Sequence, residues 1–255
     1  MKPALSILGV PIHDAGFDDA CAQVAAWLAT SGTRQIATVN PEFIMIARRA
    51  PAFAAALRQT DLNVPDGVAV LSAARRLGHP LRERVGGADL MIRLCERAAA
   101  VGWRVFLLGA GEGVAAQAGA VLTGRYPGLI ICGNHAGSPA DGDAAGITAR
   151  IRAARPHLLF VAYGAPAQDL WLNRHLSDCL LDGEAAPGLV GMGVGASFDY
   201  LTGVQKRAPA WAQQAGLEWL YRLLRQPWRL RRQMALPRFA ALVMLKSLRG
   251  ARRTP

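Results

Sequence analysis

Asp66 stands in Asn63-Val-Pro-Asp-Gly-Val-Ala-Val70, between two apolar runs, with Pro65 and Gly67 shaping a turn around it. An isolated Asp in such a turn can cap the helix that follows. A carboxylate at the carboxyl end of a strand can equally serve as a general base that accepts a proton from a bound hydroxyl. The residues by themselves leave both roles open. A similar pair of readings attaches to Thr38-Val-Asn-Pro-Glu-Phe43. Asn40 can cap a helix that has Pro41 at its first position, or Thr38 and Asn40 can turn a hydroxyl and an amide into a cleft.

Three further stretches have compositions suited to binding. Gly109-Ala-Gly-Glu-Gly-Val114 opens a helix, and Gly109 and Gly111 let a phosphate approach the backbone there. The stretch lacks the GxGxxG spacing, and no acid closes a following strand where a ribose would sit, which argues against a nicotinamide dehydrogenase. Nucleotide or diphosphate binding is still compatible with it. In Tyr163-Gly-Ala-Pro-Ala-Gln-Asp-Leu-Trp171, Gln168 is either a sugar or phosphate contact or an ordinary first-turn residue. Gly191-Met-Gly-Val-Gly-Ala-Ser-Phe-Asp199 is dense in glycine, and Gly195 within it implies close approach of a ligand or a neighbouring strand.

The Asp141-Gly-Asp143 triplet has the form of a metal-binding DxD, but Asp143 precedes a helical pattern and suits a cap. No other carboxylate cluster has metal-ligand spacing, so neither a metal nor a cofactor is expected. A diphosphate bound without metal needs cationic partners, and Arg provides bidentate geometry. Arg84, in Arg82-Glu-Arg-Val-Gly-Gly-Ala-Asp-Leu90, and the C-terminal arginines are the candidates.

The elements that must position these residues follow from patterning. Short apolar runs over Gln35–Val39, Leu62–Val64, Arg104–Leu108, Leu129–Cys132, His157–Ala162 and Leu189–Gly193 predict strands. Helical periodicity covers most of the sequence between them, including one continuous pattern from Pro41 to Gln59. The alternation predicts an α/β protein, a Rossmann-like parallel sheet flanked by helices. Ligands of such sheets bind outside the carboxyl ends of the strands, where the stretches of Asn40, Asp66, Gly109, Gln168 and Gly195 fall.

The 255 residues are 52% apolar, enough for a sizeable core. Cys21, Cys95, Cys132 and Cys179 are widely spaced, which predicts reduced core thiols in a cytosolic protein. The N-terminal apolar stretch is too short for a signal peptide, and no uncharged apolar run reaches the roughly 18 residues of a membrane span. The charge is uneven. Twelve of the 29 Lys and Arg lie from Gly203 onward against one acid, Glu218, which leaves 17 of each sign before that point. The expected organisation is therefore a catalytic body, 1–202, and a basic helical appendage, 203–255, in which Pro227 and Pro237 mark breaks. Arginines interleaved with Trp, Leu and Phe suit an anionic membrane surface, and no nucleic-acid-binding motif accompanies them.

Taken as an ordered set, TVNPEF, LNVPDGVAV, ERVGGADL, VFLLGAGEGVA, RYPGL, YGAPAQDLW, GVGASFDYLTG, RAPAW and GLEWLYRLLRQPWRLRR resemble the WecG/TagA/CpsF family of bacterial glycosyltransferases, glycosyltransferase family 26. The match runs from about Thr38 to Arg232. The resemblance implies an inverting transferase that moves a sugar from a UDP-sugar to a polyprenyl-diphosphate-linked saccharide in cell-surface or exopolysaccharide biosynthesis. N-acetylmannosamine, its uronic acid and glucose are the donors it admits. It implies a cytoplasmic enzyme, peripheral on the inner face of the membrane, with the appendage on the lipid, and it allows a homo-oligomer. By motif, Asp66 would be the base, Thr38 and Asn40 would line the pocket, and Arg84 and Gln168 would hold donor or acceptor. Arg222, Arg229 and Arg232 would engage diphosphate. The family often has Lys-Gln-Glu where this chain has Ala167-Gln168-Asp169, which keeps the Gln and an acid but not the Lys. A membrane-peripheral nucleotide-binding protein without chemistry of its own is the alternative reading.

Overall fold

The computed structural model describes residues 1–180, 188–209, 212, 220, 221, 223 and 234–251. Strands β1 (Leu5–Ile7) and β2 (Val10–Ile12) form an antiparallel hairpin, followed by helix α1 (Phe17–Leu28). The main sheet is built from β3 (Thr33–Val39), β4 (Leu62–Pro65), β5 (Arg104–Gly109), β6 (Ile130–His135), β7 (Leu158–Ala162) and β8 (Leu189–Gly193). All its pairings are parallel, in the order β4-β3-β8-β7-β5-β6. From β3 the chain steps outward to β4 and from β5 outward to β6, and β7 and β8 then fill the middle. This is the Rossmann-like α/β arrangement expected.

Burial explains the placement. Every residue of β4, β7 and β8 is buried, as strands covered on both faces must be, whereas β6 at the edge is partly exposed along its length. Alternation along the strands divides the core. Ile36, Val105, Leu107, Phe160 and Met192 face α1, α5 (Gly87–Val101) and α6 (Val114–Arg125). Phe106, Leu108, Leu159 and Val161 face α7 (Ala144–Ala154) and α8 (Ala167–His175). Ala37 and Val39 face α2 (Pro41–Ala47) and α3 (Pro51–Gln59). With period-two side-chain direction, each strand thus serves two layers at once.

Four local features differ from the sequence expectations. The continuous helix expected over Pro41–Gln59 is two helices, because Ala50 precedes Pro51 and takes an extended conformation (φ −120°, ψ 93°). The β1–β2 hairpin was not expected. It caps the edge of β4: His13 N–H donates to Asn63 O at 2.9 Å, and Asn63 N–H donates to His13 Nδ1 at 2.9 Å. That imidazole accepts and is buried, so desolvation holds its pKa below the ordinary value. Helix α4 (Val68–Arg76) was allowed for only by the capping reading of Asp66, although Gly67 holds the cap position, and α9 (Ser197–Thr202) was not expected. The former starts on Val-Ala-Val-Leu, which is strand-like by composition, and the latter is six residues long.

The last described helix, α10 (Ala235–Ala251), packs on α2 and α4. Phe239 and Val243 are buried in the same cluster as Phe43, Phe53 and Val70, while Met244, Leu245 and Leu248 are exposed. Pro237 falls in its first turn, where a missing N–H costs no helical bond. Among the described residues no helix is long and apolar enough to cross a membrane. All four cysteines are free thiols. Cys21, Cys95 and Cys179 are buried, and burial pushes the last two up to about 12.

Candidate active site

A cavity of about 660 Å³ lies across the carboxyl ends of β4, β3, β8 and β7, four neighbours in the sheet. Its lining includes Thr38 and Asn40 after β3, Asp66 after β4, Gln168 in the first turn of α8, and Gly195 after β8. Arg84 and the start of α5 complete one wall. Thus five expected binding residues and the expected base, 157 positions apart at the extremes, share one hollow. A second, more open hollow of about 430 Å³ lies beside the hairpin. Its Asp61 carboxylate is engaged by the backbone N–H of Gln35 at 2.8 Å and by Arg34 at 3.6 Å.

Asp66 is held by its neighbours' backbone. Its N–H donates to Val39 O at 2.8 Å, and Val85 N–H donates to Pro65 O at 2.8 Å, which lays the Arg84 segment alongside the turn. Gly67, at φ +96°, occupies the left-handed region a turn needs before α4. The next two glycines matter for space. A Cβ on Gly86 would sit 3.7 Å from Asp66 Oδ1, and one on Gly87 would sit 2.9 Å from Thr38 Oγ1. Bare backbone at the start of α5 therefore lets the helix N-terminus close on the corner that holds Asp66 and Thr38. No side chain caps that end, so its orphan N–H groups and dipole favour an anion in the cavity.

The capping reading of Asn40 holds. Its Oδ1 accepts from Phe43 N–H at 3.1 Å and caps α2, with Pro41 at the first position, and the residue lines the cavity as well. Gln168 is a bracket. Its side chain is buried, and Oε1 accepts from Gly164 N–H at 3.1 Å and from Gly195 N–H at 2.9 Å, joining the loops after β7 and β8. Gly193 must lack a side chain beneath it, since a Cβ there would meet the Gln168 amide at 2.5 Å.

Gly109 and Gly111 do not line this cavity. Gly109 has φ +101°, and a Cβ on it would lie 2.8 Å from the Ala162 carbonyl carbon, so its bareness serves the close approach of β5 to β7. In the Asp-Gly-Asp triplet, Asp143 holds the cap position of α7 but makes no side-chain cap bond. Asp141 instead accepts two bonds from Arg174 Nη1, at 2.6 and 2.8 Å. No cluster of metal-ligating side chains exists among the described residues. Arg222, Arg229 and Arg232 lie outside the described residues.

Several lining residues were not picked out from the sequence. Glu42, Asp89, Asp199 and Arg207 bring three acids and a base to the cavity. Asp199 accepts from Gln205 Nε2 at 2.7 Å, yet burial outweighs that bond and raises its pKa. Behind the wall, Asp169 is fully buried, and neither carboxylate oxygen has a hydrogen-bond partner. Burial pushes its pKa up to about 7. The Tyr163 hydroxyl is likewise buried without a partner and shifted up, first by burial and then by Asp143. The sequence signal for these was the Asp169 acid beside Gln168 and the Gly86-Gly87 pair.

The fold and cavity define a Rossmann-like α/β protein with a carboxylate, a helix N-terminus and glycine-rich loops converging at the ends of four adjacent parallel strands. Residues 5–253 match the Glycosyl transferase WecG/TagA/CpsF family, and the chain belongs to that family of glycosyltransferases. Two relatives are each named an N-acetylglucosaminyldiphosphoundecaprenol N-acetyl-beta-D-mannosaminyltransferase. The one from Bacillus spizizenii strain W23 is 35% identical over 211 residues, 82% of this chain and 78% of the relative. The one from Bacillus subtilis strain 168 is 33% identical over the same shares.

Proposed function

We propose that this chain transfers N-acetylmannosamine from its UDP conjugate to a polyprenyl-diphosphate-linked N-acetylglucosamine, with inversion and without metal. Of the donors the sequence admits, the names of the two relatives favour N-acetylmannosamine over its uronic acid and over glucose. The observation that carries the reading is the placement of Asp66 in the cavity against the uncapped start of α5. An acceptor hydroxyl has a pKa far above neutrality, so attack on an anomeric carbon needs a base on the acceptor side. Asp66 takes that proton as the hydroxyl oxygen bonds to the anomeric carbon. The carbon–oxygen bond to UDP breaks in the same displacement, so configuration inverts. UDP departs with the electron pair, and the N–H groups of the α5 start, Arg84 and the tail arginines Arg222, Arg229 and Arg232 stabilise its charge. The segment 203–255 is the membrane-facing appendage of a body formed by residues 1–202. It lies on the inner face of the cytoplasmic membrane through its basic and exposed apolar residues, and a homo-oligomer is compatible with it.

The test is UDP release with a short-chain polyprenyl-diphosphate N-acetylglucosamine acceptor and a panel of UDP-sugars, with EDTA present. Acceptor-dependent release from UDP-N-acetylmannosamine alone is expected. Asp66→Asn should lower turnover by about 10²–10⁴-fold with UDP affinity retained, and near-normal turnover in that variant would remove Asp66 from its role.

A further inference from the structure

The described part of the cavity wall carries more acidic than basic side chains. Among the described residues its carboxylates are Glu42 from α2, Asp66, Asp89 from α5 and Asp199 from α9, against the cations Arg84 and Arg207. Tyr163 and Tyr200 are its other titratable groups. Acids crowded together raise one another's pKa, and a diphosphate ligand would add further negative charge. An unpaired acid beside Asp66 would narrow the pH range over which it is an ionised base.

The acid closest to that need is Asp89, in the first turn of α5. The point where a Gly86 Cβ would stand is 3.7 Å from Asp66 Oδ1 and 3.1 Å from Asp89 Oδ2, so these two oxygens lie within 6.8 Å of each other. Arg207 grips Asp89 with both arms of its guanidinium: Nη1 donates to Oδ1 at 2.7 Å and Nη2 donates to Oδ2 at 2.6 Å. Both side chains are about one-third exposed, at 30% and 35%, so water only partly screens them. The two residues are 118 positions apart, and Arg207 lies just past α9, where the chain leaves the body for the basic segment.

We propose that Arg207 is a positioning residue that shields the base: by neutralising Asp89 at the start of α5, it lets Asp66 act as an ionised base down to a lower pH than it would beside an unpaired Asp89. The inference rests on the reading of Asp66 as base. A unit charge at that separation, in a medium between water and protein interior, shifts a neighbouring carboxylate by about 0.5–1.5 pH units. Removing Arg207 leaves Asp89 unopposed and raises the Asp66 pKa. Removing Asp89 alone takes one negative charge from beside Asp66 while Arg207 stays, and lowers it.

The experiment is the pH dependence of kcat/KM, whose acid limb reports the base of the free enzyme. It compares wild type, Arg207→Gln, Arg207→Lys, Asp89→Asn and the double variant Asp89→Asn/Arg207→Gln, each checked for its melting transition. The limb should rise by about one unit in Arg207→Gln, fall in Asp89→Asn, and return close to wild type in the double variant and in Arg207→Lys. A limb that stays fixed across the series while turnover falls would reduce the pair to a structural clasp and overturn the proposal. If Arg207→Gln does not fold, the downward shift in Asp89→Asn carries the test alone. The carboxyl-carbon NMR titration of Asp66, assigned by its loss in Asp66→Asn, reads the same ordering without turnover. An NMR shift in a protein in which Asp66→Asn stays active would sink the base assignment while leaving the electrostatic pairing intact. An unshifted NMR titration beside normal catalysis would do the reverse.

Discussion

Asp169→Asn should flatten the pH dependence of stability. The Asp169 carboxyl is fully buried in the first turn of α8, and both its oxygens lack hydrogen-bond partners. Burial raises its pKa from 3.8 to about 7 in the folded protein. The native state therefore holds a proton, between those two values, that the unfolded chain has released. Stability from this group is greatest at low pH and is lost as pH rises through 7. A shift of about 3 units at about 1.4 kcal/mol per unit corresponds to about 4 kcal/mol between the extremes, with the steepest change between pH 5 and 7. The assay is urea unfolding of wild type and Asp169→Asn at several pH values. Asn cannot titrate, and His13 and His157, whose pKa values burial lowers, contribute equally to both proteins. The difference in unfolding free energy between the two should thus move in favour of Asn by about 3 kcal/mol from pH 4.5 to pH 8. The offset between the curves is set by how Asn packs, but their divergence is set by ionisation alone. Parallel curves would refute the reasoning and show that Asp169 stays charged or finds a partner at all pH values.

Other consequences can be checked more briefly. Gln168→Ala leaves the Gly164 and Gly195 N–H groups without their shared acceptor, which should cost about 2–4 kcal/mol and appear as a lower melting temperature. Phe239→Ala, at a side chain buried between α10, α2 and α4, should release α10. Earlier cleavage in limited proteolysis than for the wild type is expected, at a cost of about 3 kcal/mol. Deleting residues after Leu201 should abolish binding to anionic vesicles together with transferase activity. Retained vesicle binding would place the membrane contact elsewhere.

Much of this molecule could be read from residues in order. The central strands were legible because parallel strands covered on both faces must be continuous apolar runs, as in Leu158–Ala162. The cap at Asn40 was legible because its partner is three residues away, and the uneven charge because it is a property of the chain alone. The pairing of three-residue strands into the β1–β2 hairpin was not, since it depends on docking against β4, whose Asn63 lies 50 positions from His13. The roles of single polar residues divided in the same way. Whether Asp66 caps a helix or faces a cavity depends on which strand ends are neighbours, and the order β4-β3-β8-β7 is set by long-range pairing. That order gathers Thr38, Asp66, Gln168 and Gly195 and leaves Gly109 outside. No local pattern announces that Arg207 meets Asp89 or that Asp169 is sealed from water. Charge interactions depend on distance and solvent, and only the folded chain assigns those.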